Sequence, residues 1–511
     1  MRNRNSLINK LSLILVLLFF QTNINFAQQN NNTPPNIIIF LVDDMGLMDT
    51  SVPFLTDKKG KPKTYPLNDF YITPNMEQLA DQGIRFTNFY AHSVCSPTRA
   101  SILTGQNSAR HRTTNWIHLL KNNKNEFGPS NWNWEGLSKS SVTLPRLLQK
   151  SGYKTIHVGK AHFGPNGYDG ENPLNLGFDV NIAGCGAGHP ASYYGRDGYG
   201  HIKGDKTRAV PGLEKYWDDD VFLTEALTLE ANNKITEAKN EGKPFFLYMS
   251  HYAVHQPFQS DPRFASHYEN SGKTKEAQAY ATLIEGMDKS LGDIMAHVKE
   301  LGLGENTLIL FLGDNGSDAP LPDKDFYSSS EPLRGKKAMH WEGGMRVPFI
   351  AAWVTPNKRV KVQKGFKISK GKLENQMGTI FDLFPTICDL SHVEIPASHK
   401  IDGYDLKPQL KGKTNDHRDN VFLNHFPHNH RSSYFTSFVK DNWKVVYHFQ
   451  VKGEPKYDLF NLNNDPFEAH NLAETNKEQL KVMMKLLQEN MEKMGAIYPE
   501  KDGQVLKIIQ P

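Results

Sequence analysis

Four stretches of the chain are apolar without alternation, and each ends in polar residues able to do chemistry. "NIIIFLVDD" (36–44) ends in Asp43 and Asp44, and "YKTIHVGKAHFG" (153–164) leads into Lys160 and His162. "KPFFLYMSHYAVHQP" (243–257) carries His251 and His255, and "NTLILFLGDNGSD" (306–318) carries Asp314 and Asn315. A half-exposed strand would alternate; an unbroken apolar run is the pattern of a strand buried on both faces in a parallel sheet. Between the runs, "ITPNMEQLADQGI" (72–84) and "TLPRLLQKSGY" (143–153) read as helices, so strand and helix alternate as in an α/β fold. Ligands of open α/β sheets sit beyond the carboxyl ends of the strands, so the four polar tips are expected to meet at one edge.

From about residue 415 the pattern shortens. "NVFLNHF", "YFTSFVK", "WKVVYHF" and "YDLFNL" read as short strands and precede an amphipathic helix. Thr475 and Glu478 are expected to form its capping box, and Leu480, Met483, Met484, Leu487, Met491 and Met494 its packing stripe. The first residues read as an export signal, with Arg2, Arg4 and Lys10 before an apolar run from Leu11 to Phe20 and a small residue at Ala27. The predicted organisation is a signal at 1–27, a polar tether at 28–35, a catalytic domain at 36–414 and a C-terminal subdomain at 415–511. No later run approaches the ~20 apolar residues of a membrane span, so no membrane insertion is expected, and the protein is expected to be periplasmic or secreted.

Composition adds exclusions. The 511 residues carry 59 Lys and Arg against 55 Asp and Glu; without the three basic residues of the signal this becomes 56 against 55. A balance so close to neutral gives no ground for a nucleic-acid partner, and any anionic ligand needs a local site. Three cysteines do not make a disulfide framework in a chain this long. Cys185 and Cys388 could pair or stay free, while Cys95 needs its own account.

Cys95 opens "CSPTRASILTG" (95–105), where Ser96 is a good helix cap, Pro97 suits a first helical turn and Gly105 a stop. The side chain at 95 is thereby placed at a helix N-terminus, with Arg99 one turn on, an arrangement receptive to anions. Asp43, Asp44, Asp314 and Asn315 are hard oxygen donors suited to calcium or magnesium, with no thiolate or imidazole cluster to favour zinc.

The run Cys95-x-Pro97-x-Arg99 with Leu103-Thr104-Gly105 resembles the signature of type I sulfatases, and the chain as a whole resembles exported polysaccharide sulfatases of Bacteroidota. "GKAHFG", His255 before x-Pro, "PLRGKKAMHWEGGMRVP" (332–348) and "YDLFNLNNDPFEAHNL" (457–472) resemble further family segments, with Ala161 where an aromatic is usual. The resemblance implies an alkaline-phosphatase-like fold: a large, mixed, mostly parallel sheet flanked by helices, and a smaller C-terminal α+β subdomain. It also implies hydrolysis of sulfate esters on a carbohydrate, algal glycans such as ulvan or carrageenan among them. Cys95 would be oxidised to Cα-formylglycine by a formylglycine-generating or anaerobic sulfatase-maturating enzyme. One oxygen of the hydrated aldehyde would attack sulfur and the other would later expel sulfate.

By the same resemblance Asp43, Asp44, Asp314, Asn315 and residue 95 would hold calcium. Lys160 and Lys337 would bind sulfate, His162 would hold the nucleophile, His255 would protonate the leaving oxygen, and Arg99 would support the site. Loops rich in His, Arg and aromatics (105–120, 183–201, 424–435) offer His189, His201, His425 and Arg431 as expected sugar contacts, with Arg208 just beyond the second of them. Two other readings stay open at this point: a phosphonate monoester hydrolase or phosphodiesterase of the same superfamily, and a non-catalytic calcium-dependent carbohydrate-binding protein.

Overall fold

The four apolar runs form four adjacent, mutually parallel strands. These are β1 (Asn36–Val42), β4 (Lys154–Gly159), β6 (Phe245–Ser250) and β7 (Thr307–Gly313), in the spatial order β4-β6-β1-β7. The sheet has eight strands in all. β5 (Val180–Ile182) lies outside β4, and β8 (Phe349–Trp353), β2 (Ile84–Phe86) and β9 (Lys372–Glu374) continue beyond β7. β8 runs antiparallel to both its neighbours, so the sheet is mixed but mostly parallel, as expected. A small parallel pair, β3 (Phe89–Tyr90) with β10 (Gly378–Thr379), lies outside it. The computed structural model describes residues 34–322, 329–449 and 456–511. The expected export signal and all but the last two residues of the expected tether lie outside the described residues.

Every residue of β1 is buried because each face of the sheet carries its own helical layer. The α-helices longer than five residues, in chain order among the described residues, are α1 (Pro74–Gln82), α2 (Cys95–Thr104), α3 (Leu144–Lys150), α4 (Leu223–Asn240), α5 (Lys275–Glu300), α6 (Leu383–Ser391) and α7 (Lys477–Met494). Ile38, Phe40 and Val42 pack with Leu79 of α1, Leu227 of α4 and Ile284 of α5. Ile37, Ile39 and Leu41 pack with Ile102 of α2, Leu147 of α3 and Phe384 of α6. The period of two along β1 thus sorts its side chains between two cores, while neither face meets solvent. Among the described residues, no helix is long and apolar enough to cross a membrane.

The late short runs form an antiparallel four-stranded sheet: β11 (Val421–Asn429), β12 (Ser433–Lys440), β13 (Trp443–His448) and β14 (Tyr457–Asn461). Leu480, Met483, Met484, Leu487 and Met491 of α7 close a separate core with Leu423, Val445 and Leu459 of this sheet, and Met494 packs at its margin. The cap of α7 differs from expectation. Asn476 accepts from the Gln479 N–H at 3.3 Å, so the helix starts one residue beyond Thr475, and the box with Glu478 does not form.

The loop after β7 is locked by contact without side chains. Gly316 donates its N–H to the Gly344 carbonyl at 3.0 Å, and a Cβ added to Gly316 would stand 2.0 Å from the Gly343 carbonyl oxygen. Gly316→Ala must push apart the loop holding Asp314 and Asn315 and the turn Glu342–Met345. A loss of about 1–3 kcal/mol is expected, the usual cost of overpacking, read from the urea midpoint. An unchanged midpoint would show that the two segments separate freely.

Candidate active site

Because β4, β6, β1 and β7 are parallel neighbours, the residues just past their ends share one edge of the sheet. Backbone hydrogen bonds stitch these ends together: Asp43 N–H to Ala253 O at 3.0 Å, Val254 N–H to Asp43 O at 2.8 Å, and Asp314 N–H to Val42 O at 3.1 Å. Asp44 has φ of 59°, in the left-handed region that Asp tolerates better than most residues, and its N–H donates to Asp314 Oδ1 at 3.0 Å.

Carboxylate oxygens of Asp43, Asp44 and Asp314 lie within 4.8 Å of one another, and all three residues are buried. Such a cluster is tolerable only with cations beside it. Arg99 donates from Nε and Nη2 to Asp314 Oδ2 at 2.9 and 2.7 Å, and Nη2 lies 3.4 Å from Asp43 Oδ1. The remaining guanidinium nitrogen is held by Ser250 Oγ at 2.6 Å and the Lys160 carbonyl at 3.1 Å. Lys160 Nζ donates to both oxygens of Asp43 at 2.8 and 2.7 Å, and Lys337 Nζ lies 2.6 and 2.7 Å from those of Asp44. Burial pushes the Asp43 carboxyl well up, with Asp314 and Asp44 adding to Asp43's rise and Lys160 and Arg99 opposing it.

Asn315 donates from Nδ2 to Asp44 Oδ1 at 2.9 Å, while its Oδ1 is buried with no hydrogen-bond partner among the described residues. A buried acceptor left open beside three carboxylates fits a hard divalent cation, which takes oxygen ligands of both kinds.

Cys95 is the first residue of α2, a helix whose every residue is buried and which ends at Gly105 with φ of 68°. The cap again differs from expectation. Val94 occupies the cap position, and Ser96 Oγ instead accepts from the Ile117 N–H at 3.0 Å. His162 Nε2 donates to the Ile117 carbonyl at 2.7 Å, which leaves Nδ1 as the acceptor facing Cys95 Sγ and Ser96 Oγ, each at 3.3 Å. Burial pushes the His162 ring well down, and Lys160 adds to this, so the ring is neutral. Burial also pushes the Cys95 thiol up despite the pull of Lys160 and Lys337. The side chain at 95 is therefore a protonated thiol, and Arg99, turned to the carboxylates, does not offset that.

His255 Nδ1 donates to the Gln256 carbonyl at 3.1 Å, and Nε2 lies 3.4 Å from Asp44 Oδ2. Burial pushes its pKa well down, with Asp44 opposing and Lys337 and Lys160 adding. His189 stacks on it with ring centroids 5.1 Å apart. Arg431 reaches in from the turn between β11 and β12, pairing with Asp318 at 2.7 Å and donating to the Lys337 carbonyl at 3.2 Å. Arg208 pairs with Asp205 at 3.3 Å, close enough for its charge to act on the His189 ring.

Two expected sugar contacts already have partners within the protein. His425 is 1% exposed, with its ring nitrogens taken by Thr436 at 2.7 Å and the Ile497 carbonyl. Its position on β11 turns it into the C-terminal core, where no sugar can reach it. His201 spends Nε2 on the Val210 carbonyl at 3.1 Å and packs on Trp217. Lys337, rather than Lys336, is the lysine that reaches the carboxylates. Cys185 and Cys388 are both free.

Supporting residues also emerge that the motifs did not indicate. Asp49 accepts from Gly46 N–H, Tyr280 and Ser317 at 2.8, 2.9 and 3.0 Å, joining the loops after β1 and β7. Asp318 faces Lys337 and Asp44, and its only sequence signal was a second aspartate in "GDNGSD".

Comparison with known proteins agrees with this geometry. A family model described as Sulfatase matches residues 35–393, and one described as N-sulphoglucosamine sulphohydrolase, C-terminal, matches residues 335–496. N-acetylgalactosamine-6-sulfatase of Mus musculus is 31% identical over 404 residues, covering 75% of this chain and 68% of that protein. The Homo sapiens protein of the same name is 31% identical over 396 residues, covering 74% and 66%. Among solved structures, Ps i-CgsB in complex with k-i-k-neocarrahexaose superposes with a TM-score of 0.70 at 25% identity, covering 90% of this chain and 93% of that one.

The buried charges also make a prediction of their own. Arg99→Ala leaves Asp43 and Asp314 without their shared guanidinium, and breaking a buried pair on one side costs about 3–5 kcal/mol. Urea denaturation in a chelating buffer should show that loss. A change below about 1 kcal/mol, the level of an exposed pair, would mean that the carboxylates do not depend on Arg99.

Proposed function

Because the chain belongs to the sulfatase family, we propose that it hydrolyses sulfate esters on a sulfated carbohydrate, with Cys95 matured to formylglycine and calcium held by Asp43, Asp44, Asp314 and Asn315. The observation that carries this reading is the meeting of residue 95, three buried carboxylates, an open amide oxygen and two lysines at one edge. The donor set is all oxygen, which suits calcium more than zinc. When bound, calcium would supply fixed positive charge for a sulfate oxygen, and formylglycine a hydrated aldehyde as nucleophile.

The chain's own residues do the rest. Lys160 and Lys337 now neutralise Asp43 and Asp44; with a cation taking that role, both ammonium groups are available to an incoming anionic ester. Their charges stand where negative charge spreads in the transition state. His162, its Nε2–H fixed on Ile117, presents an acceptor at Nδ1 to the oxygen-bearing side chain at 95 and orients it. His255 presents Nε2 to the same space. Burial keeps that ring neutral in the free site, and the negative charge of a bound ester draws its pKa back up, so that it arrives protonated for the leaving oxygen.

His189, Arg208, Arg431 and Asp318 give the site a polar rim fitted to a sugar. A sulfated glycan agrees with the names of the relatives, an N-acetylgalactosamine-6-sulfatase and a protein solved with a neocarrahexaose. The signal-like start supports a periplasmic or secreted enzyme, and maturation calls for a formylglycine-generating or anaerobic sulfatase-maturating partner.

Sulfate release from ulvan, carrageenan, porphyran, fucoidan and glycosaminoglycan oligosaccharides tests the activity, with mass spectrometry of the Cys95 peptide reporting maturation. Matured protein that releases no sulfate, or turns over a matched aryl phosphate faster than the aryl sulfate, would overturn the assignment. Asp314→Asn is expected to remove the stabilisation that calcium gives, read as loss of the calcium-dependent rise in unfolding temperature, and to abolish turnover. His255→Ala should cost about 10²–10⁴-fold on carbohydrate esters, whose alkoxide needs a proton, and much less on activated aryl sulfates. Equal losses on both would remove His255 from the role of acid.

A further inference from the structure

Apart from the active-site carboxylates, the described residues bring together one other group of metal-ligating side chains: His340, His448 and Asp458, with ligand atoms within 4.8 Å of one another. His340 lies three residues after Lys337, His448 ends β13, and Asp458 is the second residue of β14. His448 Nε2 lies 2.7 Å from Asp458 Oδ2, and His340 Nε2 lies 3.9 Å from the same oxygen.

His340 is 8% exposed, and its Nε2 has no hydrogen-bond partner among the described residues, an unfavourable state for a buried ring nitrogen. The far sides of two ligands are already fixed in the manner of a metal site. His340 Nδ1 meets Ser432 Oγ at 2.9 Å, and Asp458 Oδ1 accepts from Asn471 Nδ2 at 2.6 Å. Outer hydrogen bonds of this kind set ring orientation and hold a carboxylate for coordination.

We propose that His340 Nε2, His448 Nε2 and Asp458 Oδ2 form a second metal site, for a borderline transition metal such as zinc. Ligands about 2.0 Å from a tetrahedral ion sit about 3.3 Å apart, so the 2.7 and 3.9 Å separations each need about 0.6 Å of adjustment. Two imidazoles and one carboxylate suit zinc and exclude a preference for calcium. Lys444 and Arg334 both bring positive charge near the His340 ring, and that of Lys444 is offset by Glu342 and Glu468, which hold its Nζ at 3.1 and 2.6 Å. Such an ion would pin the segment bearing Lys337 to the C-terminal sheet.

The test uses the full chain, stripped of transition metals and kept in saturating calcium so that the active-site carboxylates are occupied. Zinc chloride titrated against a chromogenic chelator should reveal one tight equivalent per chain and raise the unfolding temperature. The doubly substituted His340→Gln, His448→Gln chain should bind zinc at least tenfold more weakly, without the temperature rise. Cobalt(II) added to the unsubstituted protein should give the visible absorption of a tetrahedral nitrogen–oxygen site, displaced by zinc; this needs no variant to fold. The absence of that absorption, no zinc bound at micromolar free metal, or equal binding by the double variant would overturn the proposal.

Discussion

The constraint that organises this molecule is the burial of like charges at the ends of two adjacent parallel strands. Asp43, Asp44 and Asp314 carry three negative charges into space closed to water, and Arg99, Lys160 and Lys337 bring three positive charges to them. The free site therefore holds three charges of each sign. A divalent cation would then tip the same six groups to net positive, the state in which an anionic ester binds. The two lysines serve both states, as counterions in one and as ligands for the anion in the other. Arg99 cannot take the second role, because four neighbours fix its guanidinium in a fully buried position.

The central sheet was legible because its strands are buried on both faces. That leaves unbroken apolar runs in the sequence, and the polar residues after each run had no reason to be there except the edge they share. The donor residues followed from the same logic. What pattern could not give is where a side chain points once the backbone is in place. Ser96 and Thr475 carry good cap chemistry, yet Ser96 serves the Ile117 loop and Asn476 caps the last helix. Histidines in an aromatic loop resemble sugar contacts, but β11 is buried from Phe422 to His428, His425 with it. Contacts between segments far apart in the chain, such as Asp49 with Ser317 or Arg431 with Asp318, have no local signal at all.

The C-terminal sheet is tied to catalysis through the segment that carries Lys337. Lys444 of β13 sits buried between Glu342 and Glu468, and Tyr90 also donates to Glu342 at 2.8 Å. Burial pushes Glu468 up to about 7, with Lys444 pulling it down and Glu342 pushing it further up. Two carboxylates, the Lys444 ammonium and Arg346, whose Nη1 lies 3.7 Å from Glu342 Oε2, form a balanced buried group that a fixed frame keeps together. That frame is the short turn Glu342–Met345, whose carbonyls at Gly343 and Gly344 also pack against Gly316 in the loop of Asp314 and Asn315.

One turn therefore touches both halves of the site. On one side it sets the loop that supplies two of the metal donors; on the other it hangs from the C-terminal sheet through Lys444. Arg431 adds a second tether by holding the Lys337 carbonyl and Asp318 together. The position of the Lys337 ammonium is consequently determined by residues more than ninety positions further along the chain, beyond all four of the strands whose tips carry the chemistry. A catalytic region ending before residue 415 would retain every carboxylate and Cys95, but Lys337 would lose the surface against which its segment is placed. The C-terminal sheet is in this sense part of the active site's geometry, although it contributes no group to the carboxylate cluster itself.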